Sequence, residues 1–184
     1  MTPSMKGRST IIGVILLLAW VLAAYVEARP PAKGEVRIDA VFSPGGGCEG
    51  RIVKEIESAE KSVCAQVYIF TSKPISDALV QAKKRGVDVK VILDKSQEKA
   101  AYGRWPIMQK GGVKVFFDRD HEVANSKIIL IDDRTIITGS YNFTKAAEEK
   151  NAENIVVIEN DTESFAKFKA NFESHLSHSH SGRT

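Results

Sequence analysis

Residues 123–144 read VANSKIILIDDRTIITGSYNFT, and this stretch contains two apolar runs separated by a short polar turn. Residues 126–131 and 135–138 are predicted to form a β-hairpin that turns at residues 132–134. The apolar run at residues 128–131 fills both faces of the first strand, which is typical of a central strand in a sheet covered on both sides. Lys127, at the start of that strand, either snorkels to the surface or opens into a polar site, because a buried ammonium is otherwise unfavourable.

Apolar strands and amphipathic helices alternate along the rest of the chain. The predicted strands span residues 36–42, 63–70, 87–93, 113–117 and 154–158, and the predicted helices span residues 50–60, 75–84, 97–110 in part and 162–176. This pattern predicts one α/β domain over residues 29–174, with a mixed, mostly parallel sheet and helices on both faces. The polar tail, residues 175–184, is predicted to be disordered, and its histidines, His175, His178 and His180, are not expected to form a metal site.

The N-terminus has the order of residues that is typical of a secretory signal peptide. Lys6 and Arg8 precede an apolar run at residues 11–24, and Val26 and Ala28 then offer small residues at the spacing of a cleavage site. The apolar run is short for a membrane span. We therefore predict that residues 1–28 direct export to the periplasm or out of the cell, with no stable membrane span after processing. The alternative is a retained N-terminal anchor.

Bulk charge does not indicate a class of ligand. The formal net charge is +3 over 184 residues, and it falls to +2 when residues 1–28 are removed. Any basic surface for nucleic acid must therefore come from local clustering. Cys48 and Cys64 flank the predicted helix at residues 50–60, whose ends lie roughly 16 Å apart. No disulfide is expected between them, because a disulfide requires Cα atoms within about 7 Å.

Polar side chains flank the hairpin at positions suited to binding a phosphate. Asn125 and Lys127 are two residues apart on an extended segment and therefore point the same way. The segment Gly139-Ser140-Tyr141-Asn142 follows the second strand, and its Ser140 and Asn142 offer neutral donors beside the ammonium of Lys127. Neutral donors together with one ammonium are suited to hold the oxygens of a phosphodiester.

Three further residues have less specific roles. Asp132 lies five positions beyond Lys127, an odd offset that points it to the other side of the strand, so we interpret it as structural. Gly139 permits an unusual backbone angle at the end of the second strand. Glu153 precedes a buried strand, where a carboxylate can orient a neighbouring imidazole.

The spacing of these residues resembles the HxK(x)4D(x)6GSxN signature of the phospholipase D superfamily. Lys127, Asp132 and the segment Gly139-Ser140-Tyr141-Asn142 fall on that signature. Residues 143–154 (FTKAAEEKNAEN) are similar to the small, single-motif bacterial endonucleases of the superfamily, and residues 41–59 and 67–79 resemble the same group. The resemblance therefore covers the whole chain after the predicted signal peptide.

The resemblance implies a phospholipase D-like fold and a metal-independent, non-specific endonuclease that acts on DNA or RNA. In this family two HxK motifs meet across a two-fold axis, so a chain with one motif acts as a homodimer. One histidine forms a phosphohistidine, the other protonates the leaving oxygen and then activates water, and no cofactor is required. Carried over to this sequence, Lys127, Ser140 and Asn142 bind the phosphate, and Glu153 orients the catalytic imidazole.

The family's histidine, two residues before Lys127, is replaced by Asn125 in this sequence. A carboxamide is neither a nucleophile nor a proton donor near neutral pH, although its hydrogen-bonding groups can mimic those of an imidazole. The resemblance therefore implies an impaired catalyst that retains its phosphate site. His121, in the preceding loop, is interpreted as an ordinary loop residue. Two alternatives stay open: a module that binds phosphodiesters without cleaving them, and a phospholipase that acts on phosphatidyl headgroups.

Overall fold

The strands join one sheet in the computed structural model, which describes residues 34–182. They are β1 (Arg37–Ser43), β2 (Ser62–Val67), β3 (Asp88–Asp94), β4 (Lys114–Asp118), β5 (Lys127–Ile131), β6 (Thr135–Gly139), β7 (Glu153–Glu159) and β8 (His180–Ser181). The helices are α1 (Cys48–Glu57), α2 (Lys73–Lys84), α3 (Trp105–Lys110), α4 (Lys145–Glu149) and α5 (Thr162–His178), and a 3₁₀ helix spans Lys95–Lys99. These elements belong to a unit that begins at Val36, and the predicted signal peptide lies outside the described residues.

The strand order is β1-β7-β6-β5-β2-β3-β4-β8, which confirms the predicted mixed sheet. The expectation that the sheet is mostly parallel is wrong, because among the described strands only the β2–β3 and β3–β4 pairs run parallel. Helical segments join the strands of both pairs, as a parallel connection requires. The β5–β6 hairpin is antiparallel, as its short turn demands, and the pairs around it, β2–β5, β6–β7 and β1–β7, are antiparallel as well.

Helices cover both faces of the sheet, as predicted. α1 and α2 lie on one face, where Ile52 and Val91 belong to the larger hydrophobic core. α5 covers the other face, where Phe165 and Phe172 form a second core with the opposite sides of the strands. Residues 128–131 are buried on both faces of β5, which is the central position that their apolar run predicts.

The C-terminal residues are ordered, so the prediction of a disordered tail is wrong for residues 175–182. α5 continues to His178, and β8 pairs antiparallel with β4. Gly182 donates its backbone N–H to the carbonyl of Val115 at 3.2 Å, and the Gln109 side chain donates to the carbonyl of Gly182 at 2.8 Å. The tail is polar in sequence, but backbone and side-chain hydrogen bonds hold it to the edge of the sheet.

The two cysteines are free, as predicted. Cys48 is buried at the start of α1, and Cys64 lies on β2. Burial raises the pKa of both thiols. Of the helices within residues 34–182, none is long and apolar enough to span a bilayer.

Asp132 lies in the turn of the β5–β6 hairpin, at the end of β5 opposite to Lys127. Its side chain holds this turn to the residues at the start of β2. Its carboxylate accepts hydrogen bonds from the backbone N–H groups of Glu60, Lys61 and Ser62, each at 2.8 Å. Asp132 lies five positions beyond Lys127, which corresponds to about 17 Å of extended chain. Asp132 therefore joins the end of β5 to the start of β2 and does not lie with the phosphate-binding candidates.

We expect Asp132→Asn to lower the free energy of unfolding by about 1.5–3 kcal/mol, the usual contribution of hydrogen bonds to a charged group. The new amide would place a donor against one of the three backbone N–H groups. Burial alone would raise the pKa of Asp132, but these N–H groups hold it below its usual value. The stabilisation is therefore present above the unfolded pKa of about 3.9 and is lost as the pH falls through the lower, folded pKa.

Asp133→Asn is the matched control, because Asp133 has the same positive φ but lies in an exposed ion pair with Lys169. Chemical denaturation of both variants at neutral and at acid pH measures the difference. The control should stay within about 0.5 kcal/mol of the parent. Equal losses in the two variants at neutral pH would contradict the role assigned to Asp132.

Candidate active site

One edge of the sheet collects the residues of the candidate site. β5 begins at Lys127, which pairs with Val67 at the end of β2, and β6 ends at Gly139, which pairs with Ile155 near the start of β7. Antiparallel pairing puts the start of one strand beside the end of the next. The residues that this arrangement brings to the same edge are Asn125, Lys127, Ser140, Asn142 and Glu153.

Lys127 is half-buried, and its ammonium contacts the residue that replaces the family histidine. Its Nζ donates to the backbone carbonyl of Asn125 at 2.8 Å and also to the side-chain oxygen of Asn125. The same Nζ lies 5.6 Å from the centroid of the Tyr68 ring, which is a cation–π distance. Burial lowers the pKa of Lys127, and the charge of Glu153 opposes that shift. The edge therefore holds a partly desolvated ammonium with Asn125 as its hydrogen-bond partner.

The segment that follows β6 packs tightly against the start of β7. A Cβ on Gly139 would lie 2.3 Å from the backbone oxygen of Asn154, so the close approach requires glycine. The Ser140 N–H donates to Asn154 Oδ1 at 3.2 Å, and Ser140 Oγ accepts from the Asn154 N–H at 3.1 Å. Asn142 Oδ1 accepts from the Ile69 N–H at 3.3 Å. This contact orients the Asn142 amide and leaves its nitrogen as a donor for a ligand.

A buried tyrosine anchors the same segment to the body of the domain. The Tyr141 hydroxyl donates to Glu148 Oε2 at 3.0 Å, and the Glu49 backbone N–H donates to the same oxygen at 2.9 Å. Burial and the neighbouring Glu148 raise the pKa of Tyr141, so its hydroxyl keeps its proton and remains a donor. Phe143 packs edge to face on Phe70, with ring centroids 5.3 Å apart. These contacts hold in place the backbone that carries the side chains of Ser140 and Asn142 at the sheet edge.

Glu153 begins β7 at the same edge. Its Oε1 accepts a hydrogen bond from Asn151 Nδ2 at 3.1 Å, and its charge acts on the ammonium of Lys127. The role that the family resemblance implies for Glu153, orienting an imidazole, has no imidazole to act on at position 125. Its electrostatic effect on Lys127 is the contribution that the structure shows.

The place of Tyr68 at this edge is not evident from sequence patterns. Tyr68 reaches Lys127 through the pairing of β2 with β5, which are distant in the chain. His121 does not replace the missing nucleophile, because its Nδ1 lies 3.0 Å from Asp118 Oδ2 at the end of β4. β4 is three strands from β5, a separation of about 14 Å.

Residues 52–176 match the family model described as "Cardiolipin synthase, PLD-like domain". The chain is 38% identical over 129 residues to the phospholipase D of Rickettsia typhi, and 30% identical over 123 residues to the mitochondrial cardiolipin hydrolase of Mus musculus. The alignments cover 70% and 67% of this chain but 63% and 55% of those relatives. The chain therefore spans less than two thirds of the length of these proteins.

Two solved structures share the architecture. Nuc from Salmonella typhimurium, a phospholipase D family member, matches with a TM-score of 0.78 and 34% identity, over 82% of this chain and 100% of that chain. NucT from Helicobacter pylori matches with a TM-score of 0.73 over 80% of this chain and 99% of that chain, and at 24% identity this likeness concerns the fold alone. The family model matches more than half of the residues of this chain, and the motif residues lie together at one edge of the sheet. The chain therefore belongs to the phospholipase D superfamily, within the PLD-like domain family.

Proposed function

We propose that the chain is a phosphodiesterase of the superfamily, related to its metal-independent endonucleases, whose cleavage is strongly impaired because Asn125 replaces the catalytic histidine. The contact between Lys127 and Asn125 carries this proposal. The ammonium that we propose to bind phosphate contacts Asn125, whose carboxamide stands where the family signature has its histidine. The other motif residues, Ser140, Asn142 and Glu153, lie at the same edge of the sheet.

A phosphodiester group fits this edge through charge and hydrogen bonding. The ammonium of Lys127 binds one phosphate oxygen, and the amide nitrogen of Asn142 donates to another. Ser140 Oγ accepts from the backbone of Asn154 and retains its own proton to donate to the phosphate. Because Lys127 is partly desolvated, it attracts an anion more strongly than a lysine on the open surface does.

The chemistry that the family resemblance implies uses two imidazoles, one from position 125 of each chain of a homodimer. In a homodimer with its two-fold axis at the site, one imidazole attacks phosphorus and its counterpart protonates the leaving oxygen. Glu153 is proposed to orient these rings. Asn125 provides neither function, and general acid–base catalysis alone contributes about 10²–10⁴-fold. The chain as it stands is therefore proposed to cleave at least that much more slowly than its Asn125→His variant, and the test is a paired cleavage assay.

The proposed homodimer predicts a particle of twice the chain mass in solution. Multi-angle light scattering at the protein concentrations of the cleavage assay measures that mass. We expect a dimer, because one motif per chain leaves the site half-complete in a monomer. If the Asn125→His variant is monomeric and still cleaves phosphodiesters efficiently, the proposed two-fold site is contradicted.

Nucleic acid is the substrate class that we propose. Tyr68 places an aromatic ring beside Lys127, an arrangement suited to a base stacked next to a bound phosphate. The alternative is a lipid headgroup, since the matched relatives are a phospholipase D and a cardiolipin hydrolase. Assays of Asn125→His on DNA, RNA, phosphatidylcholine and cardiolipin separate the two, and cleavage of lipid alone would overturn the nucleic-acid assignment.

A module that binds nucleic acid without cleaving it is the second candidate. The donors at the sheet edge favour it, because Lys127, Ser140 and Asn142 can hold a phosphate whether or not a nucleophile is present. Such a module binds nucleic acid with an affinity that falls steeply as salt is raised, and its Asn125→His variant stays inert. Filter binding at two salt concentrations, run beside the cleavage assay, distinguishes the module from the impaired enzyme.

We also propose that residues 1–28 direct export and that the domain acts in the periplasm or outside the cell. A retained N-terminal anchor is the alternative. N-terminal sequencing of the protein from fractionated cells tests this. A chain that begins after Ala28 in a soluble extracytoplasmic fraction supports export with cleavage, and an intact N-terminus in the membrane fraction supports the anchor.

A further inference from the structure

A second group of chemically active side chains lies at the end of β4. Asp118 is fully buried there, and three histidines surround its carboxylate. His175 Nδ1 lies 2.7 Å, His121 Nδ1 3.0 Å and His178 Nε2 3.4 Å from the same oxygen, Asp118 Oδ2. The four atoms that could coordinate an ion all lie within 4.8 Å of one another.

His178 is the member of this group whose hydrogen bonding is incomplete. Its Nε2 is buried, and its nearest acceptor, Asp118 Oδ2, lies 3.4 Å away, too far for a well-formed hydrogen bond, whereas buried polar atoms in folded proteins almost always have a close partner. The three imidazole rings are also packed closely, with centroids 4.7–5.3 Å apart. A cation bound among the ring nitrogens would give His178 its partner and would hold the rings together.

Regular structure positions most of the group. Asp118 ends β4, and its Oδ1 accepts the backbone N–H groups of Asp120 at 3.1 Å and His121 at 3.4 Å. His175 and His178 lie one turn apart on α5, so they face the same way. His121 comes from the loop after β4 and its side chain is 47% exposed. Three ligands are thus held by a strand and a helix, and the fourth lies where an ion can enter from solvent.

We propose that Asp118, His121, His175 and His178 bind one zinc ion. Imidazole nitrogen and carboxylate oxygen are common zinc ligands, whereas Mg²⁺ and Ca²⁺ prefer sites made of oxygen. Zinc–ligand distances of about 2.0–2.2 Å place the ligand atoms of a tetrahedral site about 3.3 Å apart. Zinc binding would therefore lengthen the 2.7 Å contact between His175 and Asp118 and draw together ligand atoms that now lie up to 4.8 Å apart.

The proposed ion is structural. Four protein ligands complete a tetrahedral shell, which leaves no open position for a substrate. The ion would fasten α5, and with it the β8 segment, to the end of β4. β4 is three strands from Lys127, so zinc binding here is compatible with phosphodiester chemistry that uses no metal, and the proposal does not depend on that chemistry.

The test is a zinc titration of the chain purified without a polyhistidine tag and stripped with a chelator. Isothermal calorimetry is expected to show one Zn²⁺ per chain, and thermal unfolding is expected to move to higher temperature with zinc because the ion binds only the folded site. Co²⁺ in place of Zn²⁺ should give the intense visible absorption of a four-coordinate ion. His178→Gln and His121→Gln should each weaken zinc binding at least tenfold, by analogy with losses on perturbing zinc sites.

His180→Gln is the matched control, because His180 is an exposed histidine of the same tail that lies outside the group. It should bind zinc like the parent. His121→Gln removes an exposed loop side chain, so its fold can be checked by circular dichroism without zinc. The proposal is overturned if no stoichiometric zinc binding occurs, or if both variants that remove a ligand bind zinc as tightly as His180→Gln.

Discussion

The variant Asn125→His is expected to cleave DNA or RNA in the presence of a chelator, at a rate at least 10²-fold above that of the parent chain. The substitution places an imidazole at the position that contacts Lys127 Nζ, beside the proposed phosphate site. General acid–base catalysis contributes about 10²–10⁴-fold, and the same substitution also returns the nucleophile. The measurement is the initial rate of phosphodiester cleavage by both proteins under identical conditions.

Asn151→His is the matched control for this experiment. Asn151 is an exposed asparagine at the same edge, where its side chain donates to Glu153, so the control adds an imidazole nearby but not at the nucleophile's position. It should stay as inactive as the parent. Equal rates for Asn125→His and Asn151→His would contradict the assignment of position 125. Circular dichroism during chelator treatment checks that removal of any ion bound by Asp118, His121, His175 and His178 has not unfolded the protein.

Lys127→Met, made in the Asn125→His background, is expected to lower kcat/KM by about 10²–10³-fold, the usual loss when one donor to a reacting oxyanion is removed. Methionine keeps an unbranched apolar side chain of similar length but has no ammonium to bind a phosphate oxygen. The loss should appear mainly in kcat if the ammonium binds the transition state more tightly than the substrate. Steady-state kinetics on a defined phosphodiester measure both constants.

Lys145→Met in the same background is the control for lost positive charge. Lys145 begins α4 just beyond the segment that follows β6, and its exposed ammonium pairs with Glu149. It should change kcat/KM only slightly at physiological salt, where exposed charges are screened. If the two lysine variants lose activity equally, the effect of Lys127→Met is one of general electrostatics and Lys127 is not a phosphate ligand.

The hairpin, the central position of β5 and the helices on both faces follow from local patterns. The apolar run at residues 128–131 has no polar face, and an extended strand of this kind has to be covered on both sides. The amphipathic period of residues 162–176 likewise predicts the helix α5 that covers one face. Such features depend on neighbouring residues, so the sequence alone is sufficient to predict them.

The directions of the strands, and the strands that form the two edges of the sheet, are harder to predict from the sequence. The alternation of strands and helices favours parallel pairing, but β1 pairs antiparallel with β7, whose residues lie more than a hundred positions away in the chain. No local period records such a pairing. The ordered conformation of the tail also depends on contacts between residues distant in the chain. The contact of His175 with the buried carboxylate of Asp118 forms only when α5 packs on the sheet. The spacing of His175 and His178, one helical turn apart, is the signal that could have indicated their shared face.

The residues of the candidate site also fall into those that the sequence predicts and those that only the structure shows. The motif spacing predicts that Lys127, Ser140 and Asn142 serve one edge of the sheet, and antiparallel pairing of the hairpin with β7 brings them there. Tyr68 could not be assigned to that edge, because its contact with Lys127 depends on the pairing of β2 with β5. The replacement of histidine by asparagine at position 125, by contrast, is evident only from the sequence motif, because a structure of one chain does not show which residue its relatives carry there.

Detection of a covalent intermediate tests most directly whether Asn125 occupies the nucleophile's position. Asn125→His is mixed with a phosphodiester substrate, quenched with alkali to preserve phosphoramidate bonds, and digested for mass spectrometry. We predict a phosphoryl adduct on residue 125 of the variant and none on the parent chain or on His121. Cleavage by the variant without an adduct at residue 125, or with the adduct on His121, would contradict the account.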